Sequence, residues 1–198
     1  WCEEHKDPAA WPKANNKTID PSLTQVIPAS PGLKPANKTI RASDDMIAAL
    51  KKAGKIAMAK NPNYSIKIQS AFRPLKMQIK LVCDKVARTY TMEEPKKSET
   101  LKEIGAIVAY PGGSNHGSGV AVDVTFWDAN TPLITTSNKA QGGKQYEKGA
   151  ELLADIMAEA GMVRYGKEIW HFELEGKTTN NCRCKGSAQC PFPATCRF

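Results

Sequence analysis

The sequence predicts an α+β domain in which helices pack on a small antiparallel sheet. Apolar residues recur at helical spacing in some segments and alternate at strand spacing in others, and the two kinds do not follow one another in regular βαβ order. The chain has 198 residues, 41% of them hydrophobic, which is enough to bury a substantial core. No stretch approaches the roughly 18 uninterrupted apolar residues of a membrane-spanning helix, so no membrane span is expected.

Residues 1–42 are rich in Pro, Asn and Lys with little periodicity, and read as an extended N-terminal arm. The domain is expected over residues 43–177. Ser43 is an N-cap, and Asp44 and Asp45 suit the positive end of the helix it opens. Ile47, Leu50, Gly54 and Ala57 form that helix's buried stripe, and Asn61-Pro62 ends it. In residues 65–70, Ile66 and Ile68 alternate with Lys67 and Gln69, a half-buried strand leading into Ser70-Ala71-Phe72-Arg73-Pro74. Leu75, Ile79, Val82 and Val86 space a second helix to about Tyr90. A polar loop over Thr91 to Ser98 and a short helical stretch near 99–107 follow, before Tyr110-Pro111-Gly112-Gly113.

Val120, Val122, Val124 and Phe126 mark one face of a strand whose other face carries Ala121, Asp123 and Thr125. Residues 128–144 read as a loop. Tyr146, Ala150, Leu153, Met157 and Ala160 mark a third main helix ended by Gly161. The last strand is expected over Ile169 to Leu174, with Trp170, Phe172 and Leu174 toward the core and Ile169, His171 and Glu173 away from it.

Four of the six cysteines, Cys182, Cys184, Cys190 and Cys196, crowd the segment 178–198, which reads as a disulfide-stapled tail. Disulfides persist in oxidising compartments, so the protein is expected to be periplasmic or secreted. A sulfur-ligated zinc cage is the rival reading of these cysteines, but their spacing matches no standard zinc module. The start at Trp1, with no basic-then-apolar leader, is read as a chain whose targeting peptide is removed or left out. A net charge of +8 suits an anionic polymer. Because the basic residues are scattered rather than gathered with aromatics, no nucleic-acid partner is expected.

A hydrolytic zinc site needs three nitrogen or oxygen ligands, a position for water, and a base that is not itself a ligand. Of three histidines, His116 lies in a glycine-rich loop just before the strand bearing Asp123, and His171 follows Glu168 by three residues. That spacing is feasible without being diagnostic, since a histidine in such a loop is often no more than a hydrogen-bonded turn residue. On an extended strand Glu168 and His171 would face opposite ways, so Glu168 must sit at a bend if it is to act as general base and then general acid. Arg73, after the 65–70 strand, can supply a guanidinium to an oxyanion, although it can equally pair with a surface acid. The glycines around His116 are no phosphate cradle, because neither a P-loop lysine nor a dinucleotide fingerprint accompanies them.

Ser114-Asn115-His116-Gly117-Ser118-Gly119-Val120-Ala121-Val122-Asp123 fits S-x-H-x-x-G-x-A-x-D, and Glu168-Ile169-Trp170-His171 fits E-x-W-H. Ser70-Ala71-Phe72-Arg73 with Gln78 is similar to S-G-Y-R followed by Q, with Ala71 and Phe72 in place of Gly and Tyr. Together these motifs, in order over about residues 43–175, resemble the zinc D-Ala-D-Ala carboxypeptidase and dipeptidase family. The resemblance implies a hedgehog/D,D-peptidase-like fold and one Zn2+ on His116, Asp123 and His171. It also implies Glu168 as catalytic base, Arg73 as transition-state stabiliser and substrate contact, and Ser114 beside the substrate.

The expected function is therefore a monomeric zinc metallocarboxypeptidase that cleaves the terminal D-alanine from peptidoglycan stem peptides, with D,D or L,D specificity open. An endopeptidase or D-Ala-D-Ala dipeptidase of the same family is the alternative within the enzyme class. A non-catalytic cell-wall-binding protein on the same fold is the alternative outside it, and loss of Glu168 or Arg73 would have favoured it.

Overall fold

The structure is a computed structural model that describes residues 19–89, 109, 112–137, 143–177, 182–190 and 192. In chain order the strands are β1 (Gln25–Val26), β2 (Leu33–Pro35), β3 (Arg41–Ala42), β4 (Tyr64–Ser70), β5 (Ala121–Asp128), β6 (Thr131–Ile134), β7 (Met162–Tyr165), β8 (His171–Leu174) and β9 (Arg183–Cys184). The helices are α1 (Asp44–Lys60), α2 (Leu75–Thr89), α3 (Glu147–Glu159) and α4 (Gly186–Gln189). The chain divides into two compact units, Ser22–Phe72 with Gly119–Phe198 and Trp1–Pro21 with Arg73–Ser118.

The larger unit is the α+β layer structure. Its seven-stranded sheet runs β2-β4-β5-β8-β7-β9, with β6 also paired to β5, and every pair is antiparallel except β2 with β4. A separate two-stranded ribbon joins β1 to β3. Helix α1 lies against β2, β4 and β8, α3 lies against β6 and β7, and the two helices touch each other. Ile66, Ile68, Val122, Val124, Phe126 and Phe172 from the sheet meet Met46, Leu50, Leu153 and Met157 from the helices in one core. Burying each such side chain is worth about 1.5–3 kcal/mol.

Helix α1 follows its sequence signals closely. Ser43 Oγ accepts the Met46 N–H, and Ile47, Leu50, Gly54 and Ala57 are all buried. A glycine inside a helix costs about 1 kcal/mol against alanine, and packing explains Gly54. A Cβ there would lie 2.6 Å from the Pro31 carbonyl oxygen, while Gly32, at φ +71°, packs equally close from the facing turn.

Several elements are not visible in the pattern. The segment 128–144, expected as a loop, contains β6, which folds back on β5 through a tight turn pairing Asp128 with Thr131. At four residues including Pro132, β6 is too short and irregular to signal itself. Within the expected arm, β1, β2 and β3 are two or three residues long, and Leu33 and Ile27 are buried although no periodicity marks them. Strand β7 is almost entirely buried, which hides the alternation of a half-exposed strand, whereas β8 falls within the strand expected over Ile169 to Leu174. Ile169, expected to point away from the core, is fully buried in it, because β8 begins only at His171 and a turn precedes it. The loop and helix expected over 91–107 lie outside the described residues.

In the smaller unit, α2 begins after Pro74, whose carbonyl accepts the N–H groups of Met77 and Gln78. Ile79 and Val82 are buried, as their spacing predicts, while Met77 and Leu81 are exposed. Cys184 and Cys190 form a disulfide. Cys83 and Cys182 are also disulfide-bonded, so these cysteines are not a sulfur-ligated metal cage.

Candidate active site

The pairing of β5 with β8 sets Asp123 directly opposite His171. Their neighbours in the same two strands, Val122 and Phe172, face the core, so the pleat turns Asp123 and His171 to the other face. His171 Nδ1 is 2.9 Å from Asp123 Oδ1, and Nε2 is 2.9 Å from Glu173 Oε1. Burial pushes the imidazole pKa down, but the hydrogen-bonded carboxylates of Asp123 and Glu173 outweigh it and carry it up to about 9. Glu173 shows the converse balance, since burial raises its pKa while His171 and Arg183 hold it well below the ordinary carboxylate range.

Glu168 lies in the turn before β8. Its N–H donates to the Tyr165 carbonyl, and its own carbonyl accepts the His171 N–H, at 3.1 and 3.4 Å. This bend carries the Glu168 carboxylate to the same side as His171, with Oε2 3.9 Å from Nδ1. The Tyr165 ring stands edge-on to His171 at 5.8 Å between centroids.

His116 sits in a turn closed by the Gly117 N–H to the Ser114 carbonyl, and its own N–H donates to Ser114 Oγ at 3.3 Å. Ser114, Asn115 and His116 are all buried. The Arg73 N–H donates to the His116 carbonyl, a main-chain bond that ties the end of the S-x-x-R segment to this turn. Arg73 Nη1 donates to Oε1 of buried Gln78, and Gln78 Nε2 donates in turn to the Ala109 carbonyl. A glutamine one turn into α2 thus orients the guanidinium.

His116, Asp123 and His171 each offer a ligand atom, and these atoms lie within 4.8 Å of one another, a group that could hold a metal ion. Two imidazole nitrogens and a carboxylate oxygen form a set suited to zinc. The Glu173 carboxylate on Nε2 fits as well, because a hydrogen bond at one ring nitrogen leaves the other's lone pair to a metal.

Residues 39–177 match the family model VanY, described as D-alanyl-D-alanine carboxypeptidase. The chain belongs to this family. No curated protein matches the chain. Among solved structures, this D-alanyl-D-alanine carboxypeptidase family member is similar to the LD-carboxypeptidase LdcB, whose structure concerns peptidoglycan recognition. The TM-score is 0.56 at 18% identity, over 83% of this chain and 75% of that one, which is a likeness of fold. More distant are the vancomycin resistance D,D-pentapeptidase VanY in complex with Zn(II) and VanYB in complex with D-alanine-D-alanine. The first has TM-score 0.48 and 19% identity over 77% of this chain and 84% of that one. The second has TM-score 0.49 and 20% identity over 80% and 85%.

Two residues at the site of this carboxypeptidase-family chain escape the sequence motifs. Glu173 is two positions beyond His171, hence on the same face of β8, and that spacing was the available signal. Arg183 comes from the cysteine-rich segment, and nothing in the sequence connects it to the site.

Proposed function

We propose that this protein is a zinc carboxypeptidase that removes the terminal D-alanine from peptidoglycan stem peptides, acting outside the cytoplasm. One observation carries the reading: His116, Asp123 and His171 offer clustered ligand atoms within a member of a D-alanyl-D-alanine carboxypeptidase family. Zinc held by these side chains would supply a Lewis acid for the scissile carbonyl and would lower the pKa of a water to about 7.

Glu168, about a third exposed beside His171, takes a proton from the attacking water and delivers it to the leaving amine. A C–O bond to the water oxygen replaces the C–N bond, and D-alanine departs from a peptide shortened by one residue. Arg73, oriented by Gln78, stabilises the negative charge that builds on the carbonyl oxygen. Ser114 Oγ accepts the His116 N–H, which leaves its own proton to donate to substrate.

The +8 net charge favours approach to an anionic wall. The Cys184–Cys190 disulfide supports an oxidising compartment. No described helix is long and apolar enough to cross a membrane.

The test is digestion of purified muropeptides by zinc-loaded protein, read by mass spectrometry beside Glu168→Ala. Loss of one alanine from pentapeptide assigns D,D action, and loss from tetrapeptide assigns L,D action. The variant is expected to retain zinc while its rate falls about 10²–10⁴-fold. Zinc binding with no release of any amino acid or dipeptide would overturn the enzyme reading in favour of a wall-binding protein.

A further inference from the structure

The cysteine-rich segment brings a side chain to the rear of a metal ligand. Strand β9 pairs antiparallel with β7, setting Arg183 opposite Tyr165 and Cys184 opposite Arg164. From that edge, Arg183 Nε donates to Glu173 Oε2 at 2.6 Å and Nη2 donates to Glu173 Oε1, a two-point grip on one carboxylate. Glu173 Oε1 is the oxygen that meets His171 Nε2. The guanidinium also lies over the Tyr165 ring, 4.5 Å from its centroid. The Glu173 side chain is only 2% exposed and that of Arg183 12% exposed.

The grip is itself held from several directions. The Gly166 N–H donates to the Cys182 carbonyl, and Arg183 Nη1 donates to the same carbonyl. Cys184, next to Arg183, is crosslinked to Cys190. Between them, the Ser187 N–H and hydroxyl both bond the Asp155 carboxylate on α3, and Lys185 pairs with Glu175. The position of Arg183 is therefore fixed by the sheet edge, a disulfide and a helix cap together.

We propose that Glu173 and Arg183 are positioning residues for the metal site, and that the segment 182–190 serves as their scaffold. A carboxylate fixed at Nε2 holds the Nε2–H tautomer and the ring plane of His171, so that Nδ1, on the Asp123 side of the ring, keeps its lone pair for an ion. Arg183 keeps that carboxylate in place and compensates its burial, which an isolated buried charge could not sustain. This inference rests on the reading of His171 as a metal ligand.

The test measures zinc affinity by competition with a chromophoric chelator, and the visible spectrum of Co2+-substituted protein, for wild type, Glu173→Ala, Glu173→Gln and Arg183→Ala. Outer-shell changes of this kind typically cost about 10–100-fold in metal affinity. Glu173→Ala is expected to fall in that range, and Arg183→Ala to weaken binding about tenfold. Glu173→Gln keeps an oxygen acceptor for Nε2 and is expected to recover part of the loss, with Co2+ bands intermediate in position.

A merely structural role would lower melting temperatures and leave the zinc Kd and the Co2+ bands of the folded protein unchanged, and that result overturns the proposal. Should Glu173→Ala not fold, Arg183→Ala at the sheet edge decides the matter, with a Kd within twofold of wild type counting against it. Wild-type protein that binds no zinc would instead overturn the metal reading beneath this one.

Discussion

His171 and His116 occupy opposite kinds of backbone, and the contrast separates what holds a ligand from what holds the fold. His171 is set in a buried strand whose register fixes it opposite Asp123, and both of its ring nitrogens meet carboxylates. His116 is carried by a turn that the Gly117 N–H to Ser114 carbonyl bond and the His116 N–H to Ser114 Oγ bond help to close. The strand residue is placed by pairing with a distant segment, whereas the turn residue is placed in part by bonds among residues two or three positions apart.

The largest effect that could break this contrast is ligand removal. His171→Ala and His116→Ala are both expected to abolish zinc retention on dialysis. His171→Ala should also destabilise chelator-treated protein through its orphaned buried partners, by about 1–3 kcal/mol. Equal losses in thermal melts of the two variants would show that the turn is as dependent on its histidine as the strand.

A smaller effect sharpens the role of the turn's neighbour. Arg73→Ala should lower kcat by about 10²–10³-fold with zinc retained, as loss of an oxyanion donor does. Gln78→Ala, which removes one hydrogen bond from the guanidinium without removing the guanidinium, should cost less. Steady-state kinetics on a stem-peptide substrate compares them, and a Gln78→Ala enzyme as impaired as Arg73→Ala would mean that orientation carries the whole effect.

The smallest effect is a pH dependence expected at His171. The folded-state pKa of His171 is raised from 6.5 to about 9, so its imidazolium contributes stability that is complete below about 6.5 and is lost as pH rises through about 9. Chelator-treated protein should therefore show a melting temperature that declines across that window, and His171→Gln should flatten the decline. Zinc-loaded protein should lack it, since the metal takes the place of the proton. A slope that survives His171→Gln would place the titration elsewhere.

Legibility follows the range of the forces involved. Helix α1 could be read from its Ser43 cap, its apolar stripe and its Asn61-Pro62 stop because capping and periodicity are local. Strands β6 and β7 could not, one being short and interrupted by Pro132 and the other buried on both faces, so neither shows the alternation that marks a half-exposed strand. At the site, the spacing left His116, Asp123 and His171 feasible as donors and the family resemblance implied them as a set, while Glu168 was required to lie at a bend, where the structure has the turn before β8.

By itself the sequence determined which residue types can bind a metal and move a proton, because that chemistry belongs to side chains and the motifs preserve their order. Only the tertiary structure decided that Glu173 stands behind His171 and that Arg183, ten residues further on, grips it. Strand pairing joins residues through register, and the register of β9 against β7 depends on a disulfide, a cap and a shared sheet edge, none of which is a property of neighbouring residues alone.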